Sequence, residues 1–249
     1  MNAIFRLILL VLLSGLSLQL YFVGRIAMMA VVDPESTAFE RSAVYSVATT
    51  TGSLKWRQQW VAYGDISDNL KRAVIASEDA GFTEHEGVDI EALEKAWDKN
   101  AKAEQRVQQF GNKTPNAKTP AKPVKPAKIV GGSTITQQLA KNLFLSGERT
   151  LLRKGQELVL TLLLERLLGK ERILEIYLNS VEWGEGVFGA EAASQHYFRK
   201  SASKLSAFEA ARLAVMLPRP KYFETRPNSG YLSSRASTIA ARMGGVELP

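Results

Sequence analysis

Cysteine is absent from the 249 residues. That excludes disulfides, a thiolate nucleophile and cysteine-based zinc sites, and leaves the compartment open. Histidine is nearly absent too. His85 and His196 stand far apart, too few and too scattered to make a metal centre on their own, so no metal ligand is assigned. An alternating strand–helix–strand pattern is also missing, which argues against a parallel-sheet fold. Acidic charge is in the minority. There are 25 Asp and Glu against 32 Lys and Arg, for a net charge of +7.

That excess could signal an anionic partner such as nucleic acid, but its distribution says otherwise. Between Gly111 and Lys128 stand Lys113, Lys118, Lys122, Lys125 and Lys128 with no acid, and removing those five takes the net charge from +7 to +2. The same stretch holds Pro115, Pro120, Pro123 and Pro126. It cannot bury apolar surface, so residues 111–128 read as an exposed, disordered insertion. A solvated insertion strongly outweighs nucleic-acid binding here, and such a stretch could also be weakly attracted to anionic lipid head groups.

What the chain does have is one long apolar run. Leu7 to Val23 is uncharged, between Arg6 and Arg25. As a helix it spans roughly 26 Å, enough to cross a slightly thinned bilayer core. Tyr21 and Phe22 fall where an interfacial aromatic belt would lie. A cleaved signal peptide is the rival, but its apolar region is usually shorter and a small-x-small site should follow. The reading is an uncleaved anchor with its tip in residues 1–30 and a catalytic domain in 31–249. One arginine on each side leaves orientation unassigned.

Beyond a connecting stretch, Ser46 to Ser53 looks β-prone and glycine-broken. A helix should start at Ser67 or Asp68, bury Leu70, Val74 and Ile75, and end near Glu78. Asp89 should cap a helix carrying Ile90, Leu93 and Trp97 at helical spacing. Thr136–Phe144, Leu151–Leu168, Arg172–Val181, Gly189–Tyr197, Ser206–Met216 and Leu232–Met243 show the same spacing, with a capping box at Ser206–Glu209.

Four constellations could carry chemistry. Glu78 and Asp79 sit at a helix end with Phe82, His85 and Gly87 close behind, a way to aim one carboxylate into a cleft as a proton acceptor. Taken alone the pair is a weak signal. The run from Gly131 to Asn142 opens a helix with hydroxyls and amides, where free N–H groups favour anions. Arg149, Arg153, Lys154 and Glu157 cluster ahead of a leucine-rich helix, which suits a pyrophosphate clamp better than surface ion pairs worth at most about 0.5 kcal/mol. Residues Gly184 to Gly189 match G-x-G-x-x-G, but helical spacing precedes them, so a turn between helices is the better reading. Ser201–Lys204 matches S-x-x-K without its partner motifs and is set aside.

Read in order, EDAGFTEHEG (Glu78–Gly87), GGSTITQQLAKN (Gly131–Asn142), RKGQE (Arg153–Glu157), KERILEIYLN (Lys170–Asn179) and GEGVFGAEAASQHYF (Gly184–Phe198) resemble the peptidoglycan glycosyltransferase family. The likeness covers roughly residues 66–220. With one anchor and no transpeptidase domain, the chain resembles its monofunctional members.

The resemblance implies a mainly α, lysozyme-like, two-lobed domain behind a single transmembrane helix in a bacterial inner membrane, with the active site in the periplasm. It implies lipid II as acceptor, the lipid-linked growing chain as donor, inversion at the new bond and release of undecaprenyl pyrophosphate. Position by position, Glu78 would be the general base. Ser133, Thr134, Gln137, Gln138 and Lys141 would face the donor. Lys141 and Arg149, with Arg153 and Lys154, would neutralise the leaving group. Glu157 matches a second family glutamate and is the preferred second catalytic carboxylate, because Arg172 stands where some relatives carry a glutamate; it would either act on the leaving group or only hold Arg153 and Lys154. Asp79, Phe82, His85, Asn142 and Asn179 would support the site. No cofactor is obligatory, although a divalent ion, magnesium or manganese, could help pyrophosphate depart. The membrane and other wall-synthesis or division proteins are the remaining expected partners. A lytic muramidase shares the shape but releases no pyrophosphate, and a non-catalytic scaffold would not need the motif set.

Overall fold

The computed structural model describes residues 2–111, 132–145, 147–148 and 150–249, without the side chains of 106 and 108–111. The stretch 112–131, which contains most of the expected insertion, and Arg149 lie outside the described residues.

Helix α1 (Ala3–Met28) is the one helix among the described residues long and apolar enough to cross a membrane. It overruns the uncharged segment at both ends. Most of its surface is bare, but Phe22, Ile26 and then Met29 are buried against the rest of the chain. Its last turns thus belong to the domain's packing.

The β-prone stretch is instead a helix, α2 (Ala38–Thr51). Two local features override the β-branched residues. Thr37 and Glu40 form a reciprocal capping box at its start, and Gly52 at φ +66° closes it. The threonines adapt by turning inward: Thr49, Thr50 and Thr51 donate to the carbonyls of Tyr45, Ser46 and Val47.

Next come β1 (Arg57–Gln58) and α3 (Asp68–Glu78), capped by Ser67 and burying Leu70, Val74 and Ile75 as expected. Helix α4 (Ile90–Gly111) follows, started by Asp89 Oδ1 accepting from the Ala92 N–H. Its Ile90, Leu93 and Trp97 are exposed. Helices α5 (Ile135–Phe144), α6 (Leu151–Leu167) and α7 (Lys170–Ser180) then run with short connections.

The glycine-rich segment is a hairpin of β2 (Glu182–Gly184) and β3 (Val187–Phe188), with β1 parallel to β3 on its other side. A bare turn between helices was therefore the wrong expectation. Gly186 makes the hairpin possible. It sits at φ +73°, where a Cβ would lie 2.3 Å from the Lys55 carbonyl oxygen. The dinucleotide fingerprint is still excluded, because its first two glycines belong to the antiparallel β2–β3 hairpin rather than to a strand-to-helix turn of a parallel sheet.

Helices α8 (Ala190–Phe198), α9 (Ala207–Met216), α10 (Pro220–Glu224) and α11 (Gly230–Arg242) complete the domain. Helix α9 packs on α3 and α11. Its buried Ala210, Ala211 and Ala214 are small enough to allow close approach. Helix α5 lies among α2, α6 and α7, and α1 lies along α6. Leu160 and Leu164 of α6 are fully buried, each worth about 2 kcal/mol of transfer free energy.

Candidate active site

Helix α3 ends at Glu78, and Asp79 breaks away with φ −163° and ψ 74°. The buried Asp79 carboxylate reaches two other segments. Its Oδ2 accepts from the Ile135 N–H at 2.9 Å, and its Oδ1 pairs with His85 Nε2 at 2.8 Å. Ile135 opens α5, so this N–H has no partner within its own helix, and the positive helix end favours the carboxylate. Gly87 donates its N–H to His85 Nδ1. That leaves Nε2 as the protonated nitrogen facing Asp79. Phe82 is fully buried, edge-on to His85, with Lys170 Nζ 4.6 Å from its ring centre.

With Asp79 committed to the fold, Glu78 is the one of the adjacent pair left to serve the cleft. Its Oε2 accepts from Gln138 Nε2 at 3.1 Å, and Ser77 approaches Oε1 at 3.4 Å. Gln138 is itself oriented, because the buried Tyr177 hydroxyl donates to its Oε1 at 2.9 Å. Burial raises the Glu78 pKa above the ordinary carboxyl value. The Gln138 and Ser77 hydrogen bonds oppose that, and the Asp79 charge adds to it. The cleft in front has a volume of about 530 Å³ and is lined by Glu78, Asp89, Lys95, Lys99 and Ser133, among others.

The polar opening of α5 divides by role. Thr134 accepts from the Gln137 N–H, Gln137 Oε1 accepts from the Thr134 N–H, and the Thr134 hydroxyl donates to the Gly87 carbonyl at 2.7 Å. These two side chains hold the helix start in place. Ser133 stays exposed on the cleft wall, and Gln138 points to Glu78.

A second cluster lies further along. Lys141 is three residues beyond Gln138 on α5. Although open to solvent, its ammonium is crowded by protein, and its pKa falls below the ordinary value. Glu157 opposes the fall, while Arg153 and Lys154 add to it. Glu157 is buried and pairs with Arg153 Nη1 at 2.9 Å and with Lys154. Arg153 and Lys154 sit in the opening turns of α6, where cations oppose the helix dipole. Arg153 Nε is buried without a hydrogen-bond partner among the described residues. An anionic ligand would offset the excess charge.

The remaining expected site residues are placed differently. Asn179 is fully buried and staples the backbone of Val61 through its amide, with a further donation to the Glu175 carbonyl. Asn142 lies half-buried on α5. Arg149 is outside the described residues. Sequence reasoning missed Tyr177, which looked like one more apolar helix position. Its hydroxyl, which needs a partner when buried, was the available signal. It also missed Glu40, buried beneath β1 and accepting from Gln58, with its carboxyl pushed up to about 7 by burial. Asp79, His85 and Asp89 bring ligating atoms within 4.8 Å of one another. Both Asp79 oxygens and both His85 nitrogens are already hydrogen-bonded, so the group closes on itself.

Comparison with known proteins places these features in context. The family described as Transglycosylase matches residues 46–111 and 120–244. A biosynthetic peptidoglycan transglycosylase from Burkholderia thailandensis is 53% identical over 236 residues, covering 95% of this chain and 84% of that protein. One from Burkholderia pseudomallei is 51% identical over the same length. Another, from Herminiimonas arsenicoxydans, is 50% identical over 247 residues, covering 99% of this chain and 97% of the relative.

Proposed function

Since the chain belongs to the transglycosylase family, we propose that Glu78 is the general base with which it joins lipid-linked sugars. The protein is a peptidoglycan glycosyltransferase of lysozyme-like fold, which polymerises lipid II into glycan strands. In this scheme Glu78 takes the proton from the acceptor 4-hydroxyl as that oxygen attacks C1 of the donor sugar. The C1–O bond to pyrophosphate breaks, the configuration inverts, and undecaprenyl pyrophosphate leaves. Lys141, Arg153 and Lys154, with Arg149, meet the growing negative charge on that leaving group. Glu157 holds Arg153 and Lys154 in place. Ser133 contacts the donor. Gln138 tunes the base.

The observation that carries this reading is the layout along α5. One helix hydrogen-bonds the cleft carboxylate through Gln138 and, one turn on, presents Lys141 to a cationic cluster with an unsatisfied donor. A raised carboxyl pKa suits a base working near neutrality. No cofactor is needed, and magnesium or manganese would assist by binding the departing pyrophosphate.

We further place α1 across the bacterial inner membrane with the domain on the periplasmic side, where a lipid-linked substrate in the outer leaflet meets it. Incubation of labelled lipid II with Glu78→Gln protein should yield no polymer. Near-normal strand formation would remove Glu78 from the role of base.

A further inference from the structure

The uncharged stretch of α1 contains one amide, Gln19, and it is not left to the lipid. Gln19 Nε2 donates to Gln156 Oε1 at 2.8 Å, and Gln156 Nε2 donates back to Gln19 Oε1 at 3.2 Å. Each amide thereby satisfies one donor and one acceptor of the other. An unpaired amide in hydrocarbon would be costly, and polar pairs between helices are a recognised means of fixing their association there. Gln19 also continues the stripe of Phe22, Ile26 and Met29 that faces the domain. Phe22 meets Phe144 edge-on at the end of α5, with ring centres 5.3 Å apart.

The partner residue matters as much as the bond. Gln156 is the neighbour of Glu157 and lies one turn from Arg153 on α6. Gln19 lies four residues inside the apolar boundary at Val23, a depth of about 6 Å at helical rise. Helix α6 also presents leucines to the outside. Leu151 is 93% exposed, Leu152 86% and Leu162 50%.

We propose that the Gln19–Gln156 pair is an intramembrane clamp. It fixes the register between the anchor and α6, and so sets the depth at which the Arg153–Lys154–Glu157 cluster meets a membrane-borne pyrophosphate. The proposal rests on the anchored, lipid-linked reading above. Gln19 and Gln156 are positioning residues: they touch neither substrate nor reacting atoms. The exposed leucines of α6 then lie against acyl chains.

The test uses the full chain in vesicles of phosphatidylethanolamine and phosphatidylglycerol. Gln19→Leu and Gln156→Leu should each raise KM for lipid II about three- to tenfold, the size expected of one or two interhelical hydrogen bonds in a bilayer, with kcat unchanged. Activity on a short-prenyl, water-soluble lipid II analogue should be unaffected. A second readout needs no turnover. The chain lacks cysteine, so Leu162→Cys gives a single labelling site, and a fluorophore there should be quenched by spin-labelled lipids. Gln19→Leu should weaken that quenching. An unchanged KM together with unchanged quenching overturns the clamp. So does an equal loss on the soluble analogue, which would mark a folding lesion. An inactive parent protein would instead strike at the glycosyltransferase reading, and the quenching comparison would still judge the clamp.

Discussion

Replacing Gln138 with leucine separates two roles that its position could serve. The amide donates to Glu78 Oε2 at 3.1 Å and is held for that purpose by the Tyr177 hydroxyl. That bond is one of the two that pull the Glu78 pKa down against burial. Hydrogen bonds to a charged partner contribute about 1.5–3 kcal/mol, and 1.36 kcal/mol corresponds to one pH unit. Leucine is close in size and cannot donate, so the carboxylate loses stabilisation while the cleft keeps its shape. The acidic limb of kcat/KM should therefore move upward by about one pH unit. At pH 7 the variant should run up to about tenfold slower and should recover part of the loss toward pH 8.5. Tyr177→Phe, which only frees the amide to turn, should move the limb the same way by less. The assay is initial-rate polymerisation of labelled lipid II across a pH series. A limb that stays in place while KM rises would mean that Gln138 binds the substrate directly, and the tuning argument would fail.

Two further outcomes concern stability. Burial raises the Glu40 carboxyl from 4.5 to about 7, a difference of about 3 kcal/mol between its protonation states. The folded protein holds this proton more tightly than the unfolded chain does, so stability should fall as pH rises from about 4.5 to about 7 and stay low above. Glu40→Gln keeps an acceptor for the Thr37 N–H and removes the charge, while its amide N–H turns the Gln58 contact into donor against donor. Thermal unfolding in detergent should find its stability relative to the parent rising by about 3 kcal/mol between pH 4 and pH 8, and no such rise would refute the assignment. Gly186→Ala places a Cβ 2.3 Å from the Lys55 carbonyl oxygen at a positive φ. It should cost about 3 kcal/mol, and an unchanged melting temperature would show that the hairpin yields easily.

Much of the helical frame was legible because its signals are local. Ser67 and Asp89 start their helices where capping chemistry puts them, and Ser206 with Glu209 forms the expected box. The failures are also physical. Thr49 to Thr51 favour strand by propensity, but caps at both ends and inward-turned hydroxyls made α2 a helix. The glycine-rich run was read without β1, whose parallel pairing to β3 depends on residues 130 positions earlier.

At the candidate site, the motifs marked segments that the fold brings together but not the division of contacts within them. Thr134 and Gln137 look like ligands for an anion until their side chains are seen closing on each other. Asp79 resembles a second acid until both of its oxygens are found occupied. Tyr177 offered only a hydroxyl in need of a partner, and the Gln19–Gln156 contact could not be read at all, because it joins residues that only the tertiary fold brings together.

Helix α5 has one more consequence. Gln138, bonded to Glu78, and Lys141, turned to the Arg153–Lys154–Glu157 cluster, are separated by three residues of a single helix, a rise of about 4.5 Å held by backbone hydrogen bonds. In the proposed scheme the distance between bond making and bond breaking would thus be gauged by a stiff rod rather than by loops that flex with what is bound. Such a gauge would take no account of how many sugars have already been joined. The first linkage of a strand and the hundredth would be set to the same measure.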